Sequence, residues 1–185
     1  IIAMVFLDIA APICLMIGLT TSTSGNVALL NNFEIVATST IALVLFKEKI
    51  GKRMWLAIAL ITLSTILLSV KDMSSFSFSV GSIFVVLACI CWGFENNCTR
   101  MLSVKDPLQI VVVKGFGSGL GALIIALYLG ETISNPLYLL FALILGFFAF
   151  GLSIYFYIKA QRVLGAARTS TYYAAAPFIG VIISW

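Results

Sequence analysis

Apolar and polar stretches alternate along the chain in seven long apolar runs with short polar breaks. The runs are Ile1–Thr20, Val27–Phe46, Met54–Val70, Val80–Met101, Pro107–Leu129, Pro136–Ala160 and Arg168–Trp185. About 20 helical residues, each rising 1.5 Å, cross the roughly 30 Å of hydrocarbon in a bilayer. Each run is close to that length, so the pattern predicts seven transmembrane helices and an all-α polytopic membrane protein.

Composition removes the soluble alternative. With 62% hydrophobic residues, 10% charged residues and a mean hydropathy of +1.15, there is too little polar side chain to coat a water-soluble surface. The net charge of +4 does not point to nucleic acid, because the basic residues punctuate apolar spans, as membrane topology requires. No histidine is present, which excludes His-based metal sites and triads, and no cofactor is expected. Cys14, Cys89, Cys91 and Cys98 all fall inside predicted spans and read as small packing groups.

Lys47, Lys49, Lys52 and Arg53 follow the second run, Arg100 and Lys105 the fourth, and Lys159, Arg162 and Arg168 the sixth. The opposite loops hold only Lys71, and Lys114 lies within a span. This asymmetry places the ends of the even-numbered spans, and Ile1, in the cytoplasm. The first run lacks a basic leader segment and carries Asp8 and Pro12, unlike a secretory signal. A start without Met and a stop at Trp185 within an apolar run read as a piece of a longer protein.

With Ile35 set against Pro177, the segment Gly18–Leu30 falls on Ala160–Tyr172, each a span end, a turn of small residues and a new span. The first turn has no Lys or Arg, whereas the second contains Arg162 and Arg168, so the two copies face opposite sides. Inverted repeats with a site at their interface are a recurrent transporter plan.

The segments Asn26–Thr38, Phe46–Lys49 with Trp55, Trp92–Arg100, and Leu164–Arg168 ahead of Tyr172 and Pro177 together resemble the drug/metabolite transporter superfamily, EamA type, over essentially the whole chain. The resemblance implies two inverted five-helix repeats. Residues 1–70 would be the last three helices of the first repeat, 71–79 an external linker and 80–185 the first four helices of the second. Seven spans of an expected ten would then be present, without the first two and the last. It also implies a multi-pass protein of a bacterial or archaeal inner membrane, monomeric at full length. Such a carrier exports or exchanges small metabolites, among them amino acids, in many cases using protons. Glu34–Ile35 stands where Glu-Pro is common in the family, which leaves a straight helix for the second span.

A charge at mid-bilayer costs on the order of 2.5 to 3.5 kcal/mol on insertion scales, so Asp8, Glu34, Glu95 and Lys114 need a partner, a wet cavity or protonation. Glu34 falls near the midplane, about eight residues or 12 Å from the outer end of its span. Asn31 and Thr38 share its helix face. These three line a substrate or proton site, or Glu34 is a structural acid bonded to a neighbouring helix. Glu95 and Lys114 lie at similar depth, roughly 8 to 12 Å from the cytoplasmic end. They are expected to pair, either for transport or for structure alone. Asp8 has no defined depth. Asn96 and Asn97 are interhelix glue or ligand groups. Trp92, Tyr172 and Tyr173 are interface-belt aromatics or cavity walls.

Gly115 with Gly119, and Gly117 with Gly121, are small-xxx-small pairs that predict close packing of the fifth span or, as the alternative, its sliding or hinging during alternating access, and Gly146 and Gly151 suggest a second such contact. They do not form a dinucleotide fingerprint, having no strand before them and the wrong spacing. The rival to a secondary transporter is a membrane-embedded enzyme or receptor, but no nucleotide loop, serine elbow or channel-filter repeat appears.

The charge asymmetry generates a topological expectation. Positions 52 and 162 face the cytoplasm, and Ser74 and Thr132 face outward. Single cysteines at these sites in a cysteine-free background should react with an impermeant thiol reagent from those sides only. Labelling of position 52 from outside rejects the orientation.

Overall fold

The computed structural model describes residues 1–69, 80–130, 135–176 and 179. Among them the regular structure is helical, with no strand. In order come α1 (Ile2–Thr21), α2 (Ser24–Asn31), α3 (Phe33–Val44), α4 (Lys52–Ser69), α5 (Val80–Leu102), α6 (Pro107–Tyr128) and α7 (Pro136–Leu145). A π-helical segment (Gly146–Leu152), α8 (Ser153–Leu164) and α9 (Ala166–Tyr173) follow. Among the described residues α1, α5, α6 and the continuous stretch Pro136–Leu164 are long and apolar enough to span a bilayer. This is an all-α polytopic membrane protein. The linker 71–79 with Lys71 and Ser74, Thr132, Pro177 and the end of the seventh run lie outside the described residues.

Helix starts follow from local chemistry. Asp106 caps α6 by accepting the Leu108 N–H at 2.9 Å, and Asn135 caps α7 by accepting the Leu137 N–H at 2.9 Å. A proline follows each cap, where a missing N–H costs nothing and the fixed φ suits the first turn.

The second span departs from expectation. Instead of one straight helix, α2 ends at Asn31 and α3 starts at Phe33. The junction at Asn32 carries a short bond from the Ile35 N–H to the Asn32 carbonyl at 3.2 Å. A helix therefore breaks within the apolar run without a proline, just before Glu34. The Cys89 thiol lies over the break, 3.4 Å from the Leu30 carbonyl and 3.6 Å from that of Asn31. Cys89 is thus a weak donor to a helix end as well as a packing group.

α5 is the central element. It packs most extensively on α1 and α3, and glycines permit both contacts. A Cβ on Gly81 would lie 3.0 Å from the Gly18 carbonyl of α1, and one on Gly93 would lie 3.0 Å from the Thr38 amide nitrogen of α3. Two small apolar clusters flank the polar middle of α5. Val85 and Cys89 pack with Val27 and Leu30, while Cys98 and Leu102 lie against Met4, Ile110 and Ile158.

The glycines of α6 divide. Gly117 and Gly121 receive Val5 and Ile9 of α1, as close packing requires, whereas a Cβ on Gly115 or Gly119 would meet no atom within 4 Å among the described residues. Gly146 and Gly151 do not form an interhelix contact either. A Cβ on Gly146 would meet nothing, and one on Gly151 only the Gly146 carbonyl at 3.8 Å. Both sit instead in the π-helical segment, where the wider turn interrupts regular i→i+4 bonding. α7 and the π segment bury no side chain in the bundle.

Gly93→Val should force α3 away from α5 and destabilise the folded protein by about 1–3 kcal/mol, the usual scale of overpacking. Gly115→Ala, directed at open space, should stay within about 0.5 kcal/mol of the parent. Thermal unfolding of the two variants in detergent checks the contrast.

Candidate functional site

Three consecutive polar residues of α5, Glu95, Asn96 and Asn97, are all buried. Successive helix residues point about 100° apart, so each side chain meets a different set of neighbours. The Glu95 carboxylate turns to α6, where Lys114 Nζ lies 2.8 Å from its Oε1. The Thr99 hydroxyl, one turn on, donates to the same oxygen. Asn96 turns to α3 and donates from Nδ2 to Glu34 Oε1 at 3.1 Å and to Thr38 Oγ1 at 3.3 Å. Asn97 donates to the Thr38 carbonyl at 3.0 Å and to the Gly93 carbonyl at 2.8 Å. From α8, Gln161 Nε2 donates to the Asn96 carbonyl at 3.1 Å.

Lys114 has a second partner that depth estimates did not reveal. Asp8 Oδ1 of α1 lies 3.6 Å from Nζ, and the Ser118 hydroxyl donates to Asp8 Oδ2 at 2.6 Å. One ammonium therefore bridges two carboxylates and ties α1, α5 and α6 together. The side chains of Lys114 and Glu95 are 8% and 4% exposed, against 20% for Asp8. The Glu95 side of the bridge is the more closed to solvent, and there the pair is tightest.

Glu34 is placed differently. It is half-buried in the first turn of α3, where the positive end of the helix dipole favours a carboxylate. The neutral amide of Asn96 donates to it, and among the described residues the ion pairs are those of Lys114. An acid held by an amide and a helix end can exchange a proton or receive a cation without first breaking a salt bridge.

The expected site residues therefore separate. Glu34, Thr38, Asn96, Glu95 and Lys114 come together. Asn31 lies across the helix break from Glu34, its Oδ1 4.0 Å from the Cys89 sulfur, while Glu34 and Thr38 share the Asn96 amide. Trp92 is half-buried on α5, and Tyr172 is 67% exposed on α9. Tyr173 instead meets Tyr157 of α8 edge-to-face at 5.3 Å. Sequence reasoning missed Ser118, Thr99 and Gln161. Ser118 follows Lys114 by four residues and Thr99 follows Glu95 by four, the spacing that puts side chains on one helix face. That signal was present for both. Gln161 had none beyond being an amide near the end of an apolar run.

The sequence profile of the EamA-like transporter family matches residues 1–70 and 79–185. The chain belongs to the EamA-like transporter family. A protein of Methanothermobacter thermautotrophicus named an uncharacterized transporter is 29% identical to this EamA-like chain over 183 residues. That match covers 96% of the chain and 53% of the archaeal protein, so the chain spans about half the length of this relative. No solved structure matches significantly. In this EamA-like chain the buried polar centre lies where three spanning helices and a broken one converge.

The bridge at Lys114 makes an unequal prediction. Lys114→Met strands two carboxylates, whereas Glu95→Gln leaves the ammonium with Asp8. Lys114→Met should therefore destabilise more, by about 3–5 kcal/mol, and adding Glu95→Gln to it should recover part of the loss. A coupling of about 1 kcal/mol or more in a thermal-unfolding cycle is the expected result, above the roughly 0.5 kcal/mol within which independent sites add. Additive losses would show that the contact carries no energy.

Proposed function

We propose that this chain is the larger part of a secondary transporter that moves small metabolites, such as amino acids or related compounds, across the plasma membrane by alternating access. Residues 1–70 and 80–185 act as parts of two inverted repeats, the whole protein works as a monomer, and export or exchange is coupled to protons. The observation that carries the reading is Glu34, a half-buried acid at the start of a broken helix, held by the Asn96 amide and, among the described residues, in no ion pair. Half-helix ends at such breaks are where transporters of this kind handle charged substrate groups and coupling ions.

In this mechanism Glu34 takes up a proton or the cationic group of a substrate from one side and releases it to the other. Asn96, whose amide also donates to Thr38, holds its carboxylate in place meanwhile. The Asp8–Lys114–Glu95 bridge supports the site by tying α1, α5 and α6 together around it, each of its carboxylates sharing the ammonium. Trp92, Asn31 and Tyr172 complete the wall of the path in the full-length protein.

Glu34→Gln in the full-length protein keeps the shape and an acceptor oxygen but cannot carry a proton or pair with a cation. Counterflow of labelled amino acids in proteoliposomes, with and without a pH gradient, should show that the variant reaches the membrane and no longer responds to the gradient. Wild-type rates under both conditions would end the proposal.

A further inference from the structure

Away from the polar centre, a single carboxylate joins two turns 118 residues apart in sequence. Glu48, in the turn after α3, accepts the Ala166 N–H at the start of α9 through Oε2 at 3.1 Å. Both ends of this contact are built for it. Lys47 takes a positive φ of 54°, an uncommon conformation for a non-glycine residue. The Glu48 N–H then returns to the Ala42 carbonyl at 2.8 Å, which holds the side chain toward α9. On the other side Gly165 has φ +86°, and a Cβ there would run into the Glu48 carboxylate.

The contact is also wired to the polar centre. The Gly165 N–H donates to the Gln161 carbonyl at 3.0 Å. Gln161 Nε2 donates to the Asn96 carbonyl at 3.1 Å, and Asn96 Nδ2 donates to Glu34 Oε1 at 3.1 Å. One continuous run of hydrogen bonds and short covalent links thus joins Glu48 to Glu34. Around the two turns, Lys47, Lys49, Lys52, Arg53, Arg162 and Arg168 supply basic side chains. A Glu48 carboxylate released from α9 would meet a counter-charge among them, and a contact that can be exchanged in this way is what a two-state gate requires.

We infer that Glu48 is the gate residue at the basic end of the bundle. Its carboxylate latches the α3–α4 turn onto the N-terminus of α9 and closes that side, and its release opens a path to Glu34. The inference rests on the transporter reading above and adds the element that switches access.

The test uses the full-length, cysteine-free protein in lipid vesicles, with spin labels at Lys49 and Val163, which are both exposed, and distances measured by double electron–electron resonance. The wild type should populate mainly the short distance. Glu48→Ala should raise the long-distance population about tenfold, the scale of a lost charge-assisted bond. Glu48→Gln, which keeps an acceptor, should lie between. Gly165→Ala should reproduce the open distribution, because its Cβ displaces the carboxylate. Unchanged distances in Glu48→Ala and Gly165→Ala overturn the gate, and so does unfolding of Glu48→Ala and Glu48→Gln alike, which would make the contact purely structural. Counterflow in the same vesicles keeps the two proposals apart. Distances that stay fixed while counterflow proceeds refute the gate alone, and absent counterflow with moving distances refutes the carrier alone.

Discussion

The contact on which the arrangement depends is the ion bridge at Lys114. An ammonium in the apolar interior of α6 is tolerable only with a counter-charge, and here it has two, Glu95 at 2.8 Å and Asp8 at 3.6 Å. Because these acids come from α5 and α1, satisfying one charge fixes three helices at one level. That level in turn sets where Asn96 and Asn97 stand, since they follow Glu95 on the same turn. The position of α3, and of Glu34 on it, is then determined by amides whose own place depends on a salt bridge they do not touch. The glycines at 81 and 93 act along the same helix, letting α1 and α3 approach α5 closely enough for these bonds to form.

The helix break at Asn32 has a complementary role. A continuous helix would leave Glu34 in mid-helix, where nothing but a side-chain partner offsets its charge. Starting a new helix at Phe33 puts Glu34 in a first turn, where unpaired N–H groups and the aligned peptide dipoles favour an anion. The cost of the break falls on the carbonyls at the end of α2, and Cys89 is placed against them. A thiol is a weak donor, but it is small enough to fit between helices packed this closely.

Much of this was legible in the sequence, and what was not has identifiable causes. The lengths of the apolar runs located the helices, and the cost of a lone charge in hydrocarbon was enough to pair Glu95 with Lys114. Asp8 escaped because depth along a span requires a known end, and Ile1 supplies none. The break in the second span escaped because the usual mark of one, a proline after Glu34, is replaced by Ile35. The junction lies instead at Asn32, whose carbonyl accepts the Ile35 N–H. Gly115 and Gly117 look alike in sequence, yet only Gly117 faces α1. Spacing identifies a small-residue stripe but not which side of the helix has a neighbour. Gln161 and Glu48 escaped for a further reason: their partners are the backbone groups of Asn96 and Ala166, and a backbone acceptor or donor leaves no trace in side-chain pattern.

The two kinds of bond at the polar centre differ in how readily they exchange, and this divides the bundle. Side-chain hydrogen bonds between membrane helices average about 0.6 kcal/mol, whereas removing one partner of a buried ion pair costs about 3–5 kcal/mol. α1, α5 and α6 are joined by the second kind. α3 is joined to α5 by the first kind, through Asn96 and Asn97, and the turn that follows it is joined to α9 through the half-buried Glu48. Around Glu34 the polar connections along α3 and α9 are hydrogen bonds, whereas the frame of α1, α5 and α6 is joined by the ion bridge. Among the described residues, the acid of the polar centre that lies outside the ion bridge, Glu34, stands on α3 at a helix start, and the acids within the bridge, Asp8 and Glu95, stand on α1 and α5.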